Sequence, residues 1–264
     1  MSNPIPSTRR QVPPACVSVI MPAYNERKTI REIIGRVLAQ PCVAELIVVD
    51  DGSADGTREI LRELAASEKR LRLEFHPENR GKGAAVRRGI DLATADYVIV
   101  QDADLEYDPG DIESVVAPLA AGHADACYGS RFAPRESRRV LFFRHELGNR
   151  FLTFLSNLLT DQNLTDMETC YKAFRRSLIQ NLVFEANRFG FEPEVTARIA
   201  KSPAVLYEVP ISYYGRTYAQ GKKITWRDGF AALWFILKFN LSPAVRDQIK
   251  RPWKEITGLI EPPA

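Results

Sequence analysis

Three polar clusters carry most of the chemistry open to this chain: Pro22-Ala-Tyr-Asn-Glu26, Asp50-Asp-Gly-Ser53 and Gln101-Asp-Ala-Asp-Leu-Glu106. Each follows a short aliphatic run that reads as a strand. Acidic groups gathered at one sheet edge repel each other unless a divalent cation or a ligand's hydrogen-bonding groups lie among them. Asp102 and Asp104 stand two residues apart at a strand end, so both carboxylates can reach one point. Mg2+ or Mn2+ suits such a place, held by one or two carboxylates, water and the oxygens of a diphosphate. Taken alone, Asp51-Gly-Ser53 reads equally well as a turn and helix cap. Asp-x-Asp alone is also a weak signal. All three together are hard to explain as turns.

The elements that must position these clusters are legible by periodicity. Val17–Met21, Leu46–Val49, Leu71–Phe75, Tyr97–Val100 and Ala124–Tyr128 read as strands. Between them Ile30, Ile33, Ile34, Val37 and Leu38, then Ile60, Leu61 and Leu64, then Ala85, Val86, Ile90 and Ala93 recur at helical spacing. This alternation predicts an α/β fold with a mainly parallel sheet flanked by helices. Ligands of such sheets bind outside the carboxyl ends of the strands, where the clusters fall. The second half is less regular. Arg135–Arg144 reads as a basic loop, Leu147–Leu159 as an amphipathic helix, and Glu168–Phe174 as a return to the sheet. Val205–Ile211 reads as a late strand and Trp226–Leu241 as a second amphipathic helix.

Bulk composition narrows the class. Hydrophobic residues make up 45% of the 264 and charged residues 26%, as in ordinary globular proteins. A net charge of +3 is too mild for a nucleic-acid binder, yet compatible with an anionic ligand or membrane surface. Cys16, Cys42, Cys127 and Cys170 form no CxxC pair, so reduced thiols in a cytoplasmic protein are expected rather than zinc or disulfides. Met1–Pro14 has no apolar core and does not read as a signal peptide. Phe230–Leu237 is far shorter than the roughly 20 apolar residues of a spanning helix. Gly81 and Gly83 fit neither dinucleotide fingerprint nor Walker A loop, since Val86 stands where the former needs glycine and Gly83 where the latter needs Ser or Thr. A helix start lined with N–H groups, with Lys82 near a phosphate, and a plain turn into a helix both remain open.

Pro22-Ala-Tyr-Asn-Glu26, Val49-Asp-Asp-Gly-Ser53, Asn79-Arg-Gly-Lys-Gly83 and Asp102-Ala-Asp104 together resemble the inverting glycosyltransferase family 2, with its GT-A fold, from about Val17 to Arg131. The resemblance implies a Rossmann-like nucleotide-binding half in which Pro22, Tyr24, Glu26 and Asp51 surround the base and ribose of a nucleotide-diphosphate sugar. It makes Asp102 and Asp104 the metal-ligating pair and puts Glu106 at the place of a third ligand, often Gln in relatives. Further on, Gly129-Ser-Arg-Phe132, Asp166, Glu192, Glu208-Val-Pro-Ile211, Arg216 and Gly221-Lys-Lys223 look like the polyprenyl-phosphate hexose synthases, which include the dolichol-phosphate mannose and glucose synthases. There, residues at the positions of Arg131, Arg216, Lys222 and Lys223 gather around donor and acceptor phosphates, with Arg144 and Arg150 as further candidates. Relatives commonly carry Asp-Pro-x-x-Gly where this chain has Asp166-Met-Glu-Thr-Cys170. The Gln-x-x-Arg-Trp motif of processive polymer synthases is absent.

The implied activity is transfer of a hexose from GDP-mannose or UDP-glucose to a polyprenyl or dolichyl phosphate. A phosphate acceptor is ionised at neutral pH and needs no strong base. One in-line displacement with inversion is expected, with metal and arginine stabilising the leaving diphosphate, and Asp104, Arg131 and Arg216 as the catalytic set. Phe151, Phe154, Leu155 and Leu158, with Phe230, Leu233, Trp234 and Leu237, form apolar stripes, which are more often core than membrane-facing. Relatives often add transmembrane helices, so this chain is expected to sit peripherally on the cytoplasmic membrane face or to work with a membrane-protein partner. The expected organisation is a flexible tail (1–14), one GT-A domain (15–241) and a C-terminal tail (242–264). The domain divides into a nucleotide-sugar half (15–131) and an acceptor half (132–241). Competing readings are a family 2 enzyme with a soluble or glycan acceptor, a sugar nucleotidyltransferase and a non-catalytic nucleotide-sugar binder. The second lacks its glycine-rich basic loop after the first strand, and the third is disfavoured by the retained Asp102 and Asp104.

Overall fold

The structure is a computed structural model that describes residues 12–133, 139–140, 142–188, 190–216, 226–242, 249–256 and 259. Its centre is a seven-stranded sheet in the order β3-β2-β1-β4-β6-β5-β7. The strands are β1 (Val17–Ala23), β2 (Val43–Asp50), β3 (Leu71–Phe75), β4 (Tyr97–Val100), β5 (Ala126–Ser130), β6 (Lys172–Arg175) and β7 (Leu206–Pro210). β1 pairs in parallel with β2 and β4, β2 with β3, and β5 with β7, while β6 runs against both β4 and β5. The expected α/β class and mainly parallel sheet are therefore what the chain forms.

Aliphatic residues on both faces of β1, β2 and β4 explain why these strands lie inside. Val19, Ile20, Met21, Ile47, Val48, Val49, Val98 and Ile99 are all buried. Helices α1 (Ile30–Leu38), α2 (Thr57–Ala65) and α3 (Lys82–Leu92) make the parallel crossovers. Gly89 lets α3 lie on β1, because a side-chain carbon there would collide with Ile20. The sheet extends outward in both directions from β1, so the gap between β1 and β4 is the switch point at which open α/β sheets bind ligands.

In the second half α4 (Ile112–Ala120), α5 (Phe143–Thr160), α6 (Arg176–Asn181), α7 (Phe191–Ala200) and α8 (Trp226–Leu241) complete the fold. The segment read as a strand from Glu168 enters the sheet only at Lys172, and residues 166–170 form a loop. The four cysteines are free and buried. Among the described residues no helix is long and apolar enough to cross a membrane. Helices α5 and α8 pack on each other. Of the stripes expected more readily as core, Leu155, Leu233 and Leu237 are half-buried and the other five residues point outward. Phe143, Leu147, Phe151, Phe154 and Leu158 on α5, with Phe230 and Trp234 on α8, are exposed.

Candidate active site

The clusters after β1, β2 and β4 meet at the carboxyl edge of the sheet. The Thr29 hydroxyl, just before α1, donates to the Ala103 carbonyl at 2.8 Å and reaches Glu26 Oε2 at 3.0 Å, tying the first cluster to the third. Between Asp104 and Glu106 the chain turns through Leu105 at φ +64°, a left-handed conformation costly for a branched side chain. Strain of this kind collects at functional loops, and here it sits inside the acidic cluster.

Two cations close on this edge. Lys82 Nζ, at the first turn of α3, lies 2.9 Å from Asp102 Oδ1 and 2.9 Å from Glu192 Oε1. Burial works against its charge, yet the Asp102 and Glu192 carboxylates hold its pKa well above the ordinary lysine value. From the other side Arg216 donates through Nε to the Asp104 carbonyl at 3.0 Å and through Nη2 to Glu26 Oε2 at 3.2 Å. Its backbone N–H donates to Glu106 Oε1 at 2.7 Å, and the Tyr213 hydroxyl donates to Glu106 Oε2. Both oxygens of Glu106 are thus engaged in anchoring the 213–216 segment.

The Asp104 carboxyl is pushed up to about 7 by burial, then by the neighbouring Asp102 and Glu106 carboxylates. Crowded carboxylates fit a divalent cation, which would relieve their repulsion. Asp102 and Asp104 supply two oxygen donors suited to Mg2+ or Mn2+. Among the described residues no three His, Cys, Asp or Glu side chains group closely enough to hold an ion by themselves. A cation here would therefore draw its remaining ligands from the substrate and water.

The other expected residues are placed as follows. Tyr24 is exposed and Pro22 half-buried beside it. Asp51 is buried under the Asn79–Gly81 turn. Arg131 is bound fork to fork with Asp166, Nε to Oδ2 and Nη2 to Oδ1, both at 2.7 Å. Its guanidinium also lies over the Tyr213 ring. Burial opposes the charge, but Asp166 raises its pKa well above the arginine value. Arg144 and Arg150 are exposed on α5; Arg150 pairs with Glu146 and lies over the Phe132 ring, which the Arg131 guanidinium also faces. Lys222 and Lys223 lie outside the described residues.

Several neighbours gave no signal in the sequence. Lys172 is fully buried, and its Nζ donates to the Met167 carbonyl at 2.8 Å and to the Thr169 carbonyl, capping the 166–170 loop. Glu168 Oε1 is buried without a hydrogen-bond partner among the described residues. Tyr213 could have been suspected from the aromatic pair before Arg216. His76 stood alone.

Comparison with known proteins adds the following. Residues 18–183 match the family described as glycosyl transferase family 2. Glycosyltransferase AglJ of Haloferax volcanii is 30% identical over 204 residues, 77% of this chain and 64% of that protein. Glycosyltransferase AglD of the same organism is 32% identical over 208 residues, 75% of this chain and 33% of that protein. This chain thus spans less than two thirds of both. Polyprenol monophosphomannose synthase of Mycolicibacterium smegmatis is 30% identical over 211 residues, 77% of this chain and 79% of that protein. Glucosyl-3-phosphoglycerate synthase from Mycobacterium tuberculosis, crystallised with Mn2+, UDP and glucosyl-3-phosphoglycerate, superposes with a TM-score of 0.64 at 21% identity, covering 86% of this chain and 80% of that one. Its form with Mg2+ and UDP gives 0.65 at 23% identity over the same shares. The likeness to these structures concerns the fold.

Proposed function

This chain belongs to glycosyl transferase family 2, and from that premise we propose that it moves a hexosyl group from a nucleoside-diphosphate sugar to a polyprenyl phosphate, with inversion and with Mg2+ or Mn2+ at Asp102 and Asp104. One observation carries the reading. At the switch point, two crowded carboxylates face Lys82 on one side and Arg216 on the other. Such a place suits a metal-bound diphosphate.

In this reading the 15–131 half holds the donor, with Pro22, Tyr24, Glu26 and Asp51 around the nucleoside, and the 132–241 half holds the acceptor. An oxygen of the acceptor phosphate attacks C1 of the sugar from the face opposite the diphosphate. The new C1–O bond forms as the bond to the diphosphate breaks, and the nucleoside diphosphate leaves. No side chain has to take a proton. A divalent cation, when bound, neutralises charge on the departing diphosphate. Arg216, already at Asp104 and Glu26, adds positive charge and orients the phosphates. Arg131 contributes through Asp166, fixing the loop beside the acceptor.

The lipid acceptor has support in the α5–α8 face, where Phe154 and Trp234 are 63% and 64% exposed. An apolar face of that extent, with Arg144 and Arg150 on the same side as the α5 stripe, suits the surface of an anionic bilayer. The test is release of nucleoside diphosphate from a panel of nucleotide sugars, with Mg2+, offering polyprenyl phosphate or the matching free polyprenol. Transfer to the phosphate alone is expected, abolished in EDTA and in Asp104→Asn with the melting temperature kept. Equal transfer to the alcohol would move the enzyme to the soluble- or glycan-acceptor reading.

A further inference from the structure

Asp51 sits where the resemblance puts a contact to the donor's base, and it is only 3% exposed. Its backbone N–H donates to the Ala23 carbonyl at 2.8 Å, which fixes it against the end of β1 beside Tyr24. Its carboxylate is almost fully engaged. Oδ1 accepts from His76 Nδ1 at 2.7 Å and from the Arg80 backbone N–H at 2.9 Å. Oδ2 accepts from the Gly81 backbone N–H at 2.7 Å.

None of these three donors can readily turn away. Gly81 holds φ +97° with the Asn187 carbonyl too close for any side-chain carbon, and the Ala84 N–H donates to that carbonyl at 3.1 Å, which ties the turn to the 187 segment. The His76 backbone N–H donates to the Asp50 carbonyl at 2.9 Å, and its ring is buried. A ring nitrogen facing a carboxylate at 2.7 Å has to carry a proton, so Nδ1 is the donor. A carboxylate offers about four lone-pair sites, two on each oxygen. Oδ1 is therefore full, and Oδ2 keeps one.

A single remaining acceptor discriminates between bases. Uracil presents one ring N–H, at N3, between two carbonyl oxygens. Guanine presents the N1–H and an amino N–H side by side, which an open carboxylate would bind with both oxygens. Against Asp51 one guanine N–H would be desolvated without a partner, because His76 and Arg80 already fill Oδ1. Cytosine and adenine turn a ring-nitrogen lone pair toward the same place. Tyr24, 43% exposed, can stack under any base and adds no selectivity.

We propose that Asp51, held by His76 as a positioning residue, selects a uridine-diphosphate sugar over a guanosine-diphosphate sugar. The inference rests on the donor-site reading above. Leaving a buried donor unpaired typically costs a factor of about ten or more in affinity.

The experiment is equilibrium binding of UDP and of GDP, each with Mg2+, to the wild type, His76→Ala and His76→Asn, with thermal melting as a check on folding. Wild type is expected to bind UDP at least about tenfold more tightly than GDP. His76→Ala opens Oδ1, and the ratio should narrow toward parity. His76→Asn puts an amide N–H where Nδ1–H stood and should restore the ratio. If His76 were merely structural, its loss would weaken both nucleotides alike and leave the ratio unchanged. An unchanged ratio in folded His76→Ala overturns the proposal, as does GDP binding as tightly as UDP in the wild type. Should His76→Ala fail to fold, the wild-type ratio decides alone. Failure of both nucleotides to bind would overturn the donor-site reading itself, and this inference with it.

Discussion

Strands β1, β2 and β4 are lined by aliphatic side chains on both faces, whereas the second half of the chain, from β5 through α8, holds its elements together largely by buried charges. In the first region the buried polar links of the sheet are Ser18 to Glu45, reinforced by Thr94 and Arg72, and Asp50 to Arg58 at the end of β2. In the second, Arg131 pairs with Asp166, Arg175 with Asp125 and Arg198 with Glu194, each carboxylate fully buried. Lys172 is buried among them. Aliphatic packing is strong and tolerant of small shifts, which suits a platform that presents loops. Buried ion pairs add little net stability over apolar replacements, but each charge accepts few partners. The Arg131–Asp166 pair and Lys172 fix the 165–170 loop against β5 and β6, and Glu208 on β7 holds that same loop through the Thr165 and Asp166 N–H groups.

The largest expected effect breaks the second region at its centre. Asp166→Ala would leave Arg131 buried and uncompensated, at a cost of about 3–5 kcal/mol. Leu46→Ala in the first region should cost about 2–5 kcal/mol through its cavity, so the single changes look alike. Repair separates them. The double variant Arg131→Met/Asp166→Leu should regain most of the lost stability in urea unfolding yet show no recovery of sugar transfer. Recovery of both would mean that the pair only fills space.

A smaller effect is a difference in pH dependence. The Glu168 carboxyl is pushed up from its ordinary 4.5 to about 7, by burial and then by the Glu192 charge. A folded-state value above the unfolded one stabilises fully at low pH, and the gain is lost as pH rises from about 4.5 to about 7. Glu168→Gln removes that loss and should flatten stability between pH 5 and 7 by on the order of 1 kcal/mol relative to wild type. Asp104 titrates in the same direction, so the difference between the two proteins is the measurement. Leu46→Ala should keep the wild-type profile. A Glu168→Gln curve parallel to wild type would remove Glu168 from the set of buried charges.

The same contrast explains what could be read from the sequence. β3 and β4 are expected at Leu71–Phe75 and Tyr97–Val100, their observed bounds, because apolar residues alternate in the first and run unbroken in the second. α8 was likewise bounded at Trp226–Leu241. α7 is not legible in the sequence because Glu192, Glu194, Thr196 and Arg198 are as buried as its apolar residues, which erases any helical stripe. α4 carries Pro118 inside the helix, and that hid it. In the site, the acidic clusters could be found because strand ends are local features. Arg131 and Asp166 were each noticed, but their partnership spans 35 residues and belongs to the tertiary fold. His76 acts through Asp51, 25 residues away, and nothing in its own neighbourhood in sequence points there.

The smallest expected effect on stability tests the place where the comparison inverts: α5 and α8 belong to the second region, yet their outer face is apolar. Phe154 and Trp234 are 63% and 64% exposed, so replacing both with Ser removes little packing and should change unfolding free energy by less than about 1 kcal/mol. If this face docks on a bilayer, the same variant should lose much of its binding to anionic phospholipid vesicles in a flotation assay. Each large side chain withdrawn from an interface forfeits about 1.5–3 kcal/mol of burial when the burial is complete. Transfer to polyprenyl phosphate embedded in vesicles should fall with binding, while transfer to a short, water-soluble polyprenyl phosphate should stay near wild type, since neither residue belongs to the site. Loss of both activities would place Phe154 or Trp234 in the acceptor groove rather than at a membrane. Full retention of vesicle binding would leave the apolar face for a protein partner, and would confine the role of the second region to the charges within it.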